Sequence, residues 1–433
     1  MRSLAYFVPS YALAILGYLA LNVVAARMLG AASFGYYVVL VTVTTFIGQF
    51  SLLGVHRAGL REAARADDPE TLAKLRRGVQ AVLRIPLPIT SVITGAVVLV
   101  WLGDGLSAVV TGVLTAVLVY ESGYGIVTTN FLRGLGHLRA ASLLAGRSGG
   151  ALVAVAQVAC VLLVALVAPD SGLPGVLLGT VVGYALPLLW VWWVLEQSWP
   201  HTGRRARTLQ DLLAVVKRDW RFSFSQSGGF LNSTVELWLG AAMLAAGDAS
   251  LFAAAQRIGR LLVIPATSLS IVFSPAIARL AKADNPRQLE KLVRTASTVT
   301  TLVSGVLWLP MVIAPQLVLR LIFSDTFAPA WAALVLISTG YLLNSVSGMS
   351  GTTLSMSHHE GDMALITWCV VAARLVSGAI CAWLGGPIGL AASSAVISVL
   401  YYSATWTAVR RRLGISTHAT LRPRVSLLGR IAG

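Results

Sequence analysis

The stretch Ala66–Arg77, ADDPETLAKLRR, returns at Ala283–Arg294 as ADNPRQLEKLVR. Seven of the twelve positions are identical: Ala, Asp, Pro, Leu, Lys, Leu and Arg. A second pair, GAASFGYYV from Gly30 and GDASLFAAA from Gly247, has the same offset of 217 residues, about half of the 433-residue chain. Two separate stretches that share one offset mark an internal duplication.

The duplicated unit is a membrane unit. The chain is 56% hydrophobic and 12% charged, against about 25% charged for an ordinary soluble domain. Its mean hydropathy is +0.78. Apolar runs of about 20 residues, long enough to cross a bilayer as helix, recur along its whole length. The first of them, Leu4–Ala26, follows only Arg2 and is longer than a signal-peptide core, so it reads as an uncleaved span. Cys160, Cys369 and Cys381 all lie in apolar runs, with no spacing that suggests a metal site or a disulfide.

The pattern predicts an all-α polytopic membrane protein with about twelve transmembrane helices. They fall near 5–26, 35–56, 85–102, 106–132, 148–168, 174–196, 222–246, 250–275, 297–323, 330–356, 363–384 and 387–409, here numbered spans 1 to 12. The offset maps spans 1–6 onto spans 7–12. Six is even, so both halves start on the same side and form a parallel pseudo-two-fold repeat. The expected organisation is a six-helix bundle over 1–200, a linker over 201–221, a second bundle over 222–409 and a basic tail over 410–433.

Positive charge sets the orientation. Of 33 Lys and Arg residues, 28 fall on the side that holds the N-terminus: Arg2, the loops at 57–84, 133–147, 204–221 and 279–294, and the tail. Positive loops stay cytoplasmic, so both termini are expected in the cytoplasm of a cell-membrane protein. The net charge of +16 is then mainly topology and anionic-lipid contact, not nucleic-acid binding. The opposite loops are short and carry single acids, Asp104, Asp170, Asp248 and Asp325. They leave no room for the external domain of a membrane glycosyltransferase or polymerase.

The repeated loops open on Asp-Asp-Pro and Asp-Asn-Pro, which read as an N-cap followed by Pro at the first helical position. The stretch beyond that Pro, with Leu72, Lys74, Leu75, Arg76 and Arg77 in the first copy, reads either as a short amphipathic helix on the inner leaflet or as a plain surface elbow. Gly48 and Pro265 are equivalent under the offset, and both loosen helices, so paired bends are expected in spans 2 and 8.

Charges inside the spans carry the functional reading. An ionised group at the bilayer centre costs about 2.5–3.5 kcal/mol on insertion scales, so such residues face a cavity or a partner. They are Glu121 in span 4, Glu236 in span 7, Arg257 and Arg260 in span 8, and Arg374 in span 11. Glu236 and Arg257 lie at similar distances from the Gly247 turn, both about 15 Å deep at 1.5 Å per residue. An ion pair of Glu236 with Arg257 or Arg260 across the hairpin is therefore expected, either as a fixed pair or as one that exchanges partners. Arg374 reads as a cavity cation or as the partner of an acid such as Glu121. Arg27, three residues before Gly30, reads as an interfacial arginine. His358 and His359 adjoin Glu360 and Asp362, but no further ligands stand nearby and no metal is expected.

The run AARMLGAASFGYYVVLVTVTTFIGQFSLLGVHRAGLREAAR in spans 1–2 resembles the opening of the oligosaccharide flippases, the polysaccharide-transport branch of the multidrug/oligosaccharidyl-lipid/polysaccharide exporter superfamily. LFAAAQRIGRLLVIPATSLSIVFSPAIARLA in span 8, IFSDTFAPAWAALVLIS before span 10 and GGPIGLAASSAVISV in span 12 resemble second-half counterparts. The loop SMSHHEGD, which has no Lys or Arg, departs from the pattern. The resemblance implies a flippase that carries lipid-linked oligosaccharide between leaflets. It also implies that Arg27 lines a cavity; with no Walker A run in the chain, a proton or sodium gradient is the expected energy source.

On that reading Arg27, Arg257, Arg260 and Arg374 bind the phosphorylated headgroup, and Glu236 or Glu121 couples the ion. Arginine suits a diphosphate through its fixed charge and bidentate geometry. No Walker A run is present, so no nucleotide or other cofactor is expected. The alternatives are an ion-coupled multidrug exporter, which needs an acidic cleft, and a lipid II flippase, which usually has more spans. An enzyme would need paired catalytic acids at a membrane face or a large external loop, and the sequence has neither.

Overall fold

The computed structural model describes residues 2–56, 63, 69–135, 137–144, 150–198, 208–283 and 285–420, and every regular element among them is a helix. Eight helices are long and apolar enough to cross a membrane. Large apolar side chains line their outer faces: Val100 is 81% exposed, Leu166 82% and Trp383 80%. Water would not tolerate such a surface at this density, whereas hydrocarbon is its natural solvent. The chain is a multi-pass membrane protein.

Two of the long helices are double. Arg2–Ser51 holds spans 1 and 2, separated at Gly30 (φ 64°, ψ −177°). Glu360–Leu413 holds spans 11 and 12, separated at Gly385 and Gly386, the latter at φ 56°. Glycine occupies these positive-φ breaks because a Cβ there would clash with the backbone. Spans 3 to 6 are Pro86–Leu102, Leu106–Gly134, Gly150–Val167 and Gly172–Ser198. Span 7 is Thr208–Met243, so the later part of the 201–221 linker is helical, while 201–207 lies outside the described residues. Span 8 comes in three pieces: Ala246–Gly259, a 3₁₀ turn at Arg260–Val263, and Ile264–Lys282. Span 9 is Pro286–Ile313, and span 10 is Trp331–Ser347 followed by Ser350–Met356.

Both duplicated loops lead into a helix that begins at a proline, and the two helices then diverge. In the second copy Asn285 caps the helix, its side chain accepting from the Gln288 backbone N–H at 3.1 Å, with Pro286 next. In the first copy Ala66–Asp68 lie outside the described residues, and the helix starts at Pro69. That helix, Pro69–Arg84, is the amphipathic element. It buries Ala73, Leu75 and Val79 and pairs Arg76 with Glu196. It ends because Pro86 has no N–H to donate to the preceding turn. The second copy has Val303 in that place, and Pro286–Ile313 runs unbroken into span 9.

The two positions of the expected bends differ. Pro265 stands just after the 3₁₀ turn of span 8, where its ring and missing N–H interrupt the ladder. At Gly48 the helix continues to Ser51. Gly48 instead allows close packing: a Cβ there would sit 2.8 Å from the Val119 carbonyl oxygen and 2.9 Å from the Gly123 nitrogen.

The chain forms two compact units, Arg2–Gly30 with Tyr37–Phe230, and Ala31–Tyr36 with Leu231–Gly433. The turn after span 1 thus belongs to the C-terminal unit. Phe34 is fully buried there against Phe323 and Phe327, with ring centroids 5.6 and 5.7 Å away, and the Gly35 N–H donates to Ser250 Oγ at 2.6 Å. At the other end of this unit, Phe273, Ile277, Leu292, Val293, Met349, Leu354 and Val409 make a core that Ile415 completes. Beyond Leu413 the chain docks on this core. Thr417 Oγ1 donates to the Ser347 carbonyl at 2.8 Å, and the Ala419 N–H to that of Val346 at 3.1 Å. The rest of the basic tail, 421–433, lies outside the described residues.

Candidate functional site

Span 7 places Asn232 and Glu236 one helical turn apart on one face. Span 12 does the same with Ser394 and Ser398. Arg374, from span 11, reaches both pairs. Its Nε donates to Asn232 Oδ1 at 2.9 Å, its Nη1 to Glu236 Oε1, and its Nη2 to Ser398 Oγ at 2.9 Å. The other carboxylate oxygen of Glu236 accepts from Ser394 Oγ at 2.7 Å. The two charged side chains are 5% and 4% exposed. Removing two ions from water costs several kcal/mol each, and only close pairing with full hydrogen bonding offsets it. This network meets that condition, and it ties spans 7, 11 and 12 together.

The network corrects two expectations. Glu236 pairs with Arg374 of span 11, not across the hairpin with Arg257 or Arg260. Arg374 pairs with Glu236, not with Glu121. Sequence spacing gives the depth of a residue along its helix but not the direction it faces. Glu236 and Arg257 match in depth, yet the carboxylate of Glu236 turns toward span 11.

Span 8 contributes Gln256, Arg257 and Arg260. Gln256 and Arg257 are buried, at 1% and 7% exposure, and Arg260 is half-buried at the first residue of the 3₁₀ turn. Around them stand Tyr341 from span 10 and Tyr402 from span 12. Tyr402 lies within electrostatic reach of Tyr341, Arg374 and Arg260. Three arginines and several hydroxyl and amide groups thus sit inside the C-terminal unit, with Glu236 as their counter-charge.

The N-terminal unit holds the other two candidates. Glu121 in span 4 is 7% exposed, and its Oε2 has no hydrogen-bond partner among the described residues. Nearby, a Cβ on Gly125 would lie 3.0 Å from the Tyr184 hydroxyl. Arg27 is exposed near the end of span 1, three residues before the Gly30 break. Around the two adjacent histidines, Asp362 pairs with Arg412 at 2.8 Å, and His359 Nδ1 lies 2.7 Å from the Ser357 carbonyl.

Asn232, Gln256, Tyr341, Tyr402, Ser394 and Ser398 did not stand out in the sequence. A signal was present for two of them. Asn232 precedes Glu236 by four residues, and Gln256 precedes Arg260 by four. A polar residue one turn from a charge, in an otherwise apolar span, shares its face.

Comparison with known proteins agrees with this architecture. A family model described as "Polysaccharide biosynthesis protein" matches residues 3–281. The fold resembles a multidrug resistance MATE family transporter of the MOP superfamily in its inward-facing conformation: TM-score 0.68, 14% identity, 95% of this chain and 98% of that one. It also resembles the lipid II flippase MurJ in an inward closed conformation, with TM-score 0.67, 11% identity, and coverage of 98% and 89%. A MOP superfamily transporter from Pyrococcus furiosus, described by the reverse polarity of its binding pocket, aligns with TM-score 0.58 and 15% identity over 95% of this chain and 96% of that one. No curated protein matches the sequence.

Proposed function

As the chain belongs to the polysaccharide biosynthesis protein family, we propose that it is a flippase for lipid-linked oligosaccharide, which it carries from the cytoplasmic to the external leaflet of the cell membrane. The cargo has a polyprenyl tail that stays in lipid and a diphosphate that needs shielding from it. Buried arginines supply that shielding, since they stay charged in a low-dielectric setting and bind phosphate oxygens in pairs. The observation that carries this reading is the positive surplus inside the C-terminal unit: Arg257 and Arg260 stand there in addition to the paired Arg374 and Glu236. The same surplus disfavours a carrier of organic cations.

The mechanism in this reading is alternating access of the two repeat halves, 1–200 and 222–409, joined by 201–221. The excess of Lys and Arg on one side supports cytoplasmic termini and a cytoplasmic 410–433 tail. A proton or sodium gradient drives the cycle. The two candidate coupling acids differ in what supports them. Glu236 has both oxygens engaged, by Arg374 and Ser394, whereas Glu121 keeps one oxygen open among the described residues. Glu121 therefore takes the coupling role, and Glu236 holds Arg374 in place. Arg27 meets the headgroup as it leaves, near the end of span 1.

Export of cell-surface polysaccharide tests the proposal. Arg257→Ala and Arg260→Ala should each stop export while the protein remains in the membrane at normal abundance. Normal export by both variants would overturn the arginine role.

A further inference from the structure

The break in span 8 leaves two polar atoms unmet. Gln256 is 1% exposed, and its Oε1 has no hydrogen-bond partner among the described residues. Arg260, four residues on, is half-buried, and its Nη2 has none either. Gly259 (φ −55°, ψ −35°) and Arg260 (φ −63°, ψ −19°) keep helical dihedrals, so the two side chains lie on one face. Residues four apart can bond to each other, yet these do not. Tyr341 borders the place: a Cβ on Gly259 would meet its Cδ2 at 3.6 Å. Tyr402 is within electrostatic reach of both Arg260 and Tyr341.

An unmet donor and an unmet acceptor inside a membrane protein both raise the free energy of the empty state. Their chemistries differ, and together they describe a ligand. Arg260 Nη2 calls for an anionic acceptor, and Gln256 Oε1 calls for a hydroxyl or amide donor. A sugar phosphate offers both within a few ångströms. Arg374 is not free to join, since its Nε, Nη1 and Nη2 are engaged by Asn232, Glu236 and Ser398.

We propose that Gln256 and Arg260 form a glycosyl-phosphate subsite at the span 8 break. Arg260 binds a phosphate oxygen, Gln256 accepts from a hydroxyl or N-acetyl N–H of the first sugar, and Tyr341 and Tyr402 flank the two. Arg374 is a positioning residue held outside it. This assignment rests on the flippase reading and specifies which groups read the sugar and which the phosphate.

Binding of two short-chain probes to the purified full-length protein tests it: geranyl diphosphate, and geranyl diphosphate bearing N-acetylglucosamine. Arg260→Ala should weaken both probes by about tenfold to a hundredfold, the loss typical of a charge-assisted hydrogen bond, and Arg260→Lys should recover part of it. Gln256→Leu should weaken only the glycosylated probe, by about threefold to tenfold. The same variant should raise the melting temperature of the empty protein, because it removes a buried unmet acceptor; a merely structural glutamine would lower it. If wild type binds the probes and neither variant changes affinity, the subsite is wrong and the flippase reading stands. If wild type binds neither probe, the flippase reading falls and the subsite with it.

Discussion

Breaking the Glu236–Arg374 pair one side at a time should be far more damaging than removing it whole. Both side chains are about 95% buried, so Glu236→Leu leaves a guanidinium charge in a low-dielectric interior, and Arg374→Met leaves a carboxylate there. Each single change should cost about 3–5 kcal/mol of stability. The double variant carries neither charge. Its remaining cost is the polar groups that lose a partner, Asn232 Oδ1 and the hydroxyls of Ser394 and Ser398, together about 1–3 kcal/mol. The double variant should therefore be more stable than either single one, and far from the sum of the two. Unfolding of the four purified proteins in mixed detergent, followed by tryptophan fluorescence, reads this directly. Additive losses would refute the pairing. Transport makes a second reading available: with Glu236 as a brace and not the coupling acid, the double variant should keep substantial export. A well-folded double variant with no export would return the coupling role to Glu236.

Gly48→Ala places a methyl within 3 Å of backbone atoms at Val119 and Gly123, which cannot retreat as a flexible side chain can. The overpacking should destabilise the N-terminal unit by about 1–3 kcal/mol, measured as a drop in thermal midpoint, whereas the same change at exposed Gly229, where a Cβ meets nothing within 4 Å, should cost far less. Burial first, then Arg294 and Arg410, push the His418 imidazole below its ordinary 6.5, with Glu290 opposing. The unfolded chain then binds more protons than the folded one between the depressed value and 6.5, so stability rises with pH across that window and is lost as pH falls through it. His418→Gln should flatten that part of the pH–stability curve, and an unchanged slope would show that another group carries it. Asn285→Ala removes the cap on Gln288 and should cost about 1 kcal/mol, visible as faster amide exchange in the first turn of Pro286–Ile313.

Much of the fold was legible because a bilayer imposes simple rules. Span length, the glycine breaks at Gly30, Gly385 and Gly386, and the 217-residue offset all derive from geometry that each residue carries locally. The capped start at Asn285 and Pro286 was equally local. What could not be read was anything that depends on neighbours across space. Gly48 and Pro265 are equivalent in the repeat, yet proline acts on its own helix while glycine acts on whatever packs against it. The partner of Glu236 depended on its direction around span 7, where depth along the helix was silent. The packing of Phe34 against Phe323 and Phe327, nearly 300 residues away, depended on tertiary packing alone. A charge in an apolar run is conspicuous, and of the five in-span charges Glu121, Glu236, Arg257 and Arg374 are buried and Arg260 is half-buried. The buried Asp219, early in Thr208–Met243, was not conspicuous. Neutral groups such as Gln256 and Asn232 matter to the candidate site but are not conspicuous either.

The most direct measurement is transbilayer movement in proteoliposomes. The purified protein is reconstituted with a fluorescent lipid-linked oligosaccharide, and the fraction reachable by an external lectin is followed over time under an imposed ion gradient. Wild type should move the lipid between leaflets, Arg260→Ala should not, and an organic-cation dye should stay in place throughout. Movement of the dye with no movement of the glycolipid would contradict the flippase reading at its root.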